Sequence, residues 1–108
     1  MTPPQDRRFE PRSAANVRAL VVAPGLELPC LIVDRSAAGL RLRLDRRLAL
    51  PDRVFVIDMA GAMAIEAEVA WRKGLEAGLR QRSQASLRGL VPSRLAAVRD
   101  AFLRAGGR

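Results

Sequence analysis

Histidine and tyrosine are absent from this chain, and cysteine occurs once, at Cys30. Without histidine, the commonest general base near neutral pH and the commonest metal ligand are both missing. A single thiol can form neither an internal disulfide nor a thiolate zinc site. Ser-His-Asp hydrolases and zinc hydrolases are therefore excluded, no metal is expected, and no pair of carboxylates is marked out for catalysis by spacing or by a cofactor motif. Long apolar runs are lacking too: none approaches the roughly 18 to 20 residues that a membrane helix needs. Met1 to Arg12 is polar rather than a charged-then-apolar leader, so the expectation is a cytoplasmic protein with no membrane insertion.

What is present fits one domain. The chain has 108 residues, 49% of them apolar, within the size at which a single modest core can form. Its 19 basic residues outnumber 11 acidic ones, for a formal net charge of +8. Only Lys73 is lysine, so 18 are arginine (19 − 1), the side chain whose planar fork pairs bidentately with phosphate and with guanine edges. Net charge by itself speaks to solubility and non-specific attraction rather than to a site.

Residues 1–16, with three prolines, three arginines and no apolar periodicity, read as a flexible arm rather than a core element. From Val17 the pattern changes to short apolar stretches divided by Pro, Gly and Asp, as in a run of strands. Strands are predicted over 17–23, 28–33 with Pro29 near its start, 40–44, 53–58, 63–72 and 76–81. In LRLRL, Leu40, Leu42 and Leu44 take one face and Arg41 and Arg43 the other. In MAIEAEVAWR, period two puts Met63, Ile65, Ala67, Val69 and Trp71 on one face and Glu66, Glu68 and Arg72 on the opposite one, which favours strand over helix. Six short strands imply a small antiparallel barrel or sandwich. The tail changes period: Ser93 reads as an N-cap, and Leu95, Val98 and Phe102 recur at helical spacing until Ala105-Gly106-Gly107. The expectation is one amphipathic helix over about 93–104, packed on the barrel through those three side chains, so that residues 17–108 form one unit.

Two short patterns carry the chemistry. An RxxxR pair, Arg8 and Arg12, lies in the arm, and Asp34, Ser36 and Gly39 form a DxSxxG turn between the second and third strands. RxxxR alone is uninformative: it occurs three times, at Arg8/Arg12, Arg43/Arg47 and Arg104/Arg108, about as often as this many arginines produce by chance. DxSxxG is expected in only roughly 2% of shuffles of this composition. In this order, and with Trp71 ending a late strand and Gly78 in the next, the pair resembles the PilZ domain family. That resemblance implies a six-stranded antiparallel β-barrel with an N-terminal arm and one C-terminal helix. It further implies a non-enzymatic receptor for the bacterial second messenger cyclic di-GMP.

The resemblance implies that Arg7, Arg8, Arg12, Asp34, Ser36 and Gly39 bind the nucleotide, with Arg35, Arg41, Arg43, Trp71, Arg72 and Gly78 as further candidates. Arginines on the arm can direct their forks at phosphates or at guanine O6 and N7. Asp34 can accept from guanine N1–H and the exocyclic amine, and Ser36 can donate or accept. Gly39 serves either a positive φ or a close approach. Trp71 reads as core or barrel rim ahead of a stacking platform, and Cys30 as a buried small hydrophobe. An arginine just before RxxxR, here Arg7, is associated in the family with an intercalated dimer of the ligand. No other cofactor is expected, and a downstream protein partner is left unidentified. Two other readings stand beside this one: a ligand-independent adaptor of the same fold, and a small basic barrel that binds nucleic acid. The second is the weaker, because single-strand binders stack bases on several aromatics and this chain has only Phe9, Phe55, Phe102 and Trp71.

Overall fold

The computed structural model describes residues 16–108. Six strands, β1 (Val17–Ala23), β2 (Leu26–Arg35), β3 (Gly39–Leu44), β4 (Arg53–Asp58), β5 (Met63–Lys73) and β6 (Glu76–Ser86), precede a single 3-10 turn (Ser93–Leu95) and helix α1 (Ala96–Arg104). All neighbouring strands are antiparallel, and the sheet closes in the order β1-β2-β3-β6-β5-β4, with β4 pairing back onto β1. The predicted barrel and helix are thus both present, and closure removes the free edges that an open sheet of this size would expose.

Alternation explains the interior. Ala19 and Val21 of β1, Leu28, Cys30 and Ile32 of β2, Leu40, Leu42 and Leu44 of β3, and Val54 and Val56 of β4 point inward and form one cluster with Ile65, Ala67, Ala77 and Leu79. No polar or charged residue among those described is buried. Each large aliphatic side chain taken fully from water contributes about 1.5–3 kcal/mol before the entropy of ordering is subtracted. A second cluster lies outside the barrel, where Leu20, Val22, Ile57 and Ala64 face Leu95, Val98, Ala101 and Phe102 of the helical segment. This second layer is why VRALVV and VFVI are apolar at successive positions: their strands are covered on both faces.

Two expectations need correction. Pro29 lies well inside β2, opposite Leu20, rather than at its start. Its carbonyl accepts from Asp45 N at 3.0 Å, so its nitrogen faces the same edge, where β3 has already ended and no ladder bond is lost. Ser93 does not cap the helix with its side chain; it opens the 3-10 turn after Pro92, in which Leu95 N donates to Pro92 O at 2.8 Å. That tight turn satisfies a donor the serine hydroxyl was expected to satisfy. The far end closes as predicted, with Gly106 N donating to Leu103 O and Gly107 N to Phe102 O, the paired bonds of a Schellman stop.

Candidate ligand-binding site

The outer wall that the helix leaves bare carries a groove of about 380 Å³, lined among others by Asp34, Arg35, Ser36, Gly39, Arg41, Trp71, Gly78 and Arg80. Its floor is a single cross-strand row. Asp34 of β2 pairs with Arg41 of β3, Arg41 with Gly78 of β6, and Gly78 with Trp71 of β5. Residues 34, 41, 71 and 78 are far apart in the chain and adjacent in the sheet.

Two bulges create this row. In β2, Leu28, Cys30 and Ile32 face the interior, so continued alternation would send Asp34 inward as well. The register shifts between Ile32 and Asp34, leaving Val33 as the extra residue, and Asp34 joins the face of Arg41 instead. In β5 the register shifts again between Val69 and Trp71, with Ala70 as the extra residue. A one-residue insertion exchanges the two faces of everything beyond it. The sequence places Trp71 with Met63 and Ile65; the structure puts it outside at 45% exposure, beside the groove. The same shift turns Arg72 away from Glu66 and Glu68. Arg72 donates instead to Leu48 O at 2.8 Å and to Gly74 O at 3.3 Å, tying down the β3–β4 loop, and it does not line the groove.

Close packing accounts for both glycines. A Cβ on Gly78 would lie 2.0 Å from Trp71 Nε1, so the bare backbone is the bed for the indole. Gly39 does not have a positive φ, which removes one of the two reasons the sequence offers for it. A Cβ there would meet Leu79 O at 2.3 Å, and the close approach is to backbone of β6, not to a base. Beside it, Ser36 N donates to Gly39 O at 2.9 Å and Ala38 N to Ser36 Oγ at 3.3 Å. Ser36 therefore shapes the turn, and its own O–H stays available as a donor.

The arginines differ in how they are held. Arg35 reaches Asp58 at 3.3 Å, a carboxylate that also accepts from Gly61 N at 3.0 Å. Arg41 makes no ion pair among the described residues and stands exposed over the groove. Arg43, on the same face of β3, lines a different hollow with Arg18, Leu31 and Met59. Arg80 is the groove residue that sequence spacing leaves undecided; its place follows from pairing with Gly39 on one side and Glu68 on the other. Arg7, Arg8 and Arg12 lie outside the described residues. No group of His, Cys, Asp or Glu among the described residues could hold a metal. None of the described helices is long and apolar enough to cross a membrane.

Chemically, the described residues of this groove offer a carboxylate, a hydroxyl, guanidinium groups and one exposed indole. In comparisons with known proteins, residues 6–91 match the family model described as the PilZ domain, a span that takes in the arm motif and the whole barrel and stops before the 3-10 turn and α1. No curated protein matches the chain.

Proposed function

This chain belongs to the PilZ domain family, whose members bind cyclic di-GMP and are generally receptors rather than enzymes, and we propose that it is itself a cyclic di-GMP receptor whose ligand occupies the groove above β3. The observation that carries the reading is the Asp34–Arg41–Gly78–Trp71 row with Ser36 and Gly39 at its end. A guanine base presents O6 and N7 as acceptors and N1–H and an amine as donors. A carboxylate at Asp34 matches the donors, guanidiniums at Arg41 and Arg80 match O6 and N7 or a phosphate, and the Trp71 indole offers a flat face for stacking. Arg43 and Arg72 are left out, the first because it lines another hollow and the second because it is spent on backbone carbonyls.

The arm completes the proposal. Arg8 and Arg12 clamp the ligand from above, Arg7 favours two intercalated nucleotides per chain, and the arm drawn onto the barrel alters the surface offered to a downstream protein. Calorimetric titration tests this. Wild type is expected to bind cyclic di-GMP near micromolar, with about two nucleotides per chain, and Arg8→Ala/Arg12→Ala to lose at least about tenfold in affinity, a loss of about 1.4 kcal/mol. A folded wild-type chain that gives no heat is instead the ligand-independent adaptor.

A further inference from the structure

One carboxylate beside the groove is outnumbered by its cations. Glu68, on the outer face of β5, lies 3.2 Å from Arg53, 3.5 Å from Arg80 and 3.6 Å from Arg82. Among the described residues the contacts are divided between its oxygens: Oε2 faces Arg53 and Arg82, whereas Oε1 faces Arg80. Arg80 is also the member of this set that lines the groove. Its side chain is 66% exposed, and at 3.5 Å the pair is longer than the roughly 2.7–2.9 Å of a charge-assisted hydrogen bond. Losing Arg80 would leave the other two contacts of Glu68 in place.

We infer that Glu68 sets the affinity of the groove by holding Arg80 at its rim and yielding that guanidinium to a phosphate of the incoming ligand. The inference rests on the reading of the groove as a cyclic di-GMP site. A phosphate oxygen can approach Arg80 to full hydrogen-bonding distance and offer two acceptors, which Glu68 Oε1 does not do here. Asp58 and Arg35 show the contrast. Asp58 has one cation among the described residues, is only 14% exposed and is also bonded to the β4–β5 turn, so Arg35 is fixed where Arg80 is exchangeable. An exposed pair like Arg80–Glu68 is worth at most about a fivefold shift in an equilibrium. Removing the carboxylate also removes a screened repulsion between it and the ligand phosphates. Both effects have the same sign, so neutralising Glu68 tightens binding.

The test is calorimetric titration of the full chain with cyclic di-GMP, using wild type, Glu68→Gln, Arg80→Gln, the double variant, and Glu66→Gln as a control. Glu66 lies on the same face but contacts Ser83 and Arg94, away from the groove. Expected are an affinity about three- to tenfold higher for Glu68→Gln, about tenfold lower for Arg80→Gln, and little change for Glu66→Gln. In the Arg80→Gln background, Glu68→Gln should change affinity less than about twofold. Glu68→Asp, which keeps the charge but shortens the reach, should fall between wild type and Glu68→Gln and serves where the glutamine variant folds poorly. A wild type that binds while Glu68→Gln is unchanged or weaker overturns the inference alone. So does an equal gain with Arg80 absent, or an equal gain from Glu66→Gln, since either makes the effect one of bulk charge. A wild type that does not bind overturns the reading of the groove and this inference with it.

Discussion

The barrel has two outer faces built from the same strands by opposite rules. Where α1 lies, the outward positions of β1, β4 and β5 are Leu20, Val22, Ile57 and Ala64, sealed against Leu95, Val98 and Phe102. Across β2, β3 and β6 the outward positions are Asp34, Arg41, Gly78 and Arg80, of which the two arginines are exposed, Asp34 is half-buried and Gly78 lies under the Trp71 indole. The first face keeps strict alternation and gains stability from burial. The second breaks alternation at Val33 in β2 and at Ala70, where the far end of β5 reaches this face, and gives up burial of Trp71. Two of the three register shifts in the sheet thus lie where chemistry is offered, and the third leaves Arg82 of β6 as the extra residue opposite Glu66 and Ala67.

The two faces should separate under mutation. The largest effect is expected from Phe102→Ala, which empties a fully buried site on the covered face. A loss of about 3–5 kcal/mol should appear as a fall of more than about 10 °C in the thermal midpoint, while the molecules that remain folded bind ligand as wild type does. A parallel loss of affinity would mean that the faces are coupled. Trp71→Ala, on the open face, should do the reverse: stability within about 0.5 kcal/mol of wild type and affinity about tenfold weaker in titration, as expected for a lost stacking contact of about 1–3 kcal/mol. Unchanged affinity would remove the indole from the site.

The smallest effect concerns the interior shared by both faces. Burial pushes the Cys30 thiol up to about 12 from 9.0, so the thiolate, which is the reactive form, is withheld from a thiol reagent at pH 8. Labelling should be negligible in the native protein and rapid in denaturant. Because the unfolded thiol ionises first, the unfolded state binds fewer protons than the native state between pH 9 and about 12, and this group's contribution to stability falls across that interval. Below pH 9 it contributes no pH dependence.

Strand number, hairpin order and helix position were legible because each depends on local periodicity. VRALVVA and RVFVID coincide with β1 and β4, and the Leu40, Leu42, Leu44 face is the buried one. Strand ends were less so: β6 runs on to Ser86 because β5 continues beside it, although LRQRSQAS carries no clear apolar alternation. DxSxxG was readable as a turn, since Asp, Ser and Gly suit one chemically. The facing of Trp71 and Arg72 was not readable, because a bulge is a property of two paired strands rather than of either sequence. Arg80 and Glu68 were visible as charges but not as neighbours.

Local sequence pattern determined six short strands suited to a barrel or a sandwich, a closing helix, the interior set of Leu, Ile and Val, and the turn that bears Asp34 and Ser36. Hydrophobic periodicity and turn chemistry act over a few residues, and they suffice for those features. Closure into a barrel came with the pairing of β4 onto β1. Tertiary structure decided which face Asp34, Trp71 and Arg72 occupy, that residues 34, 41, 78 and 71 stand in one row, and that Arg80 leans on Glu68. Those outcomes follow from register across closed pairs of strands, where one extra residue reverses every side chain beyond it.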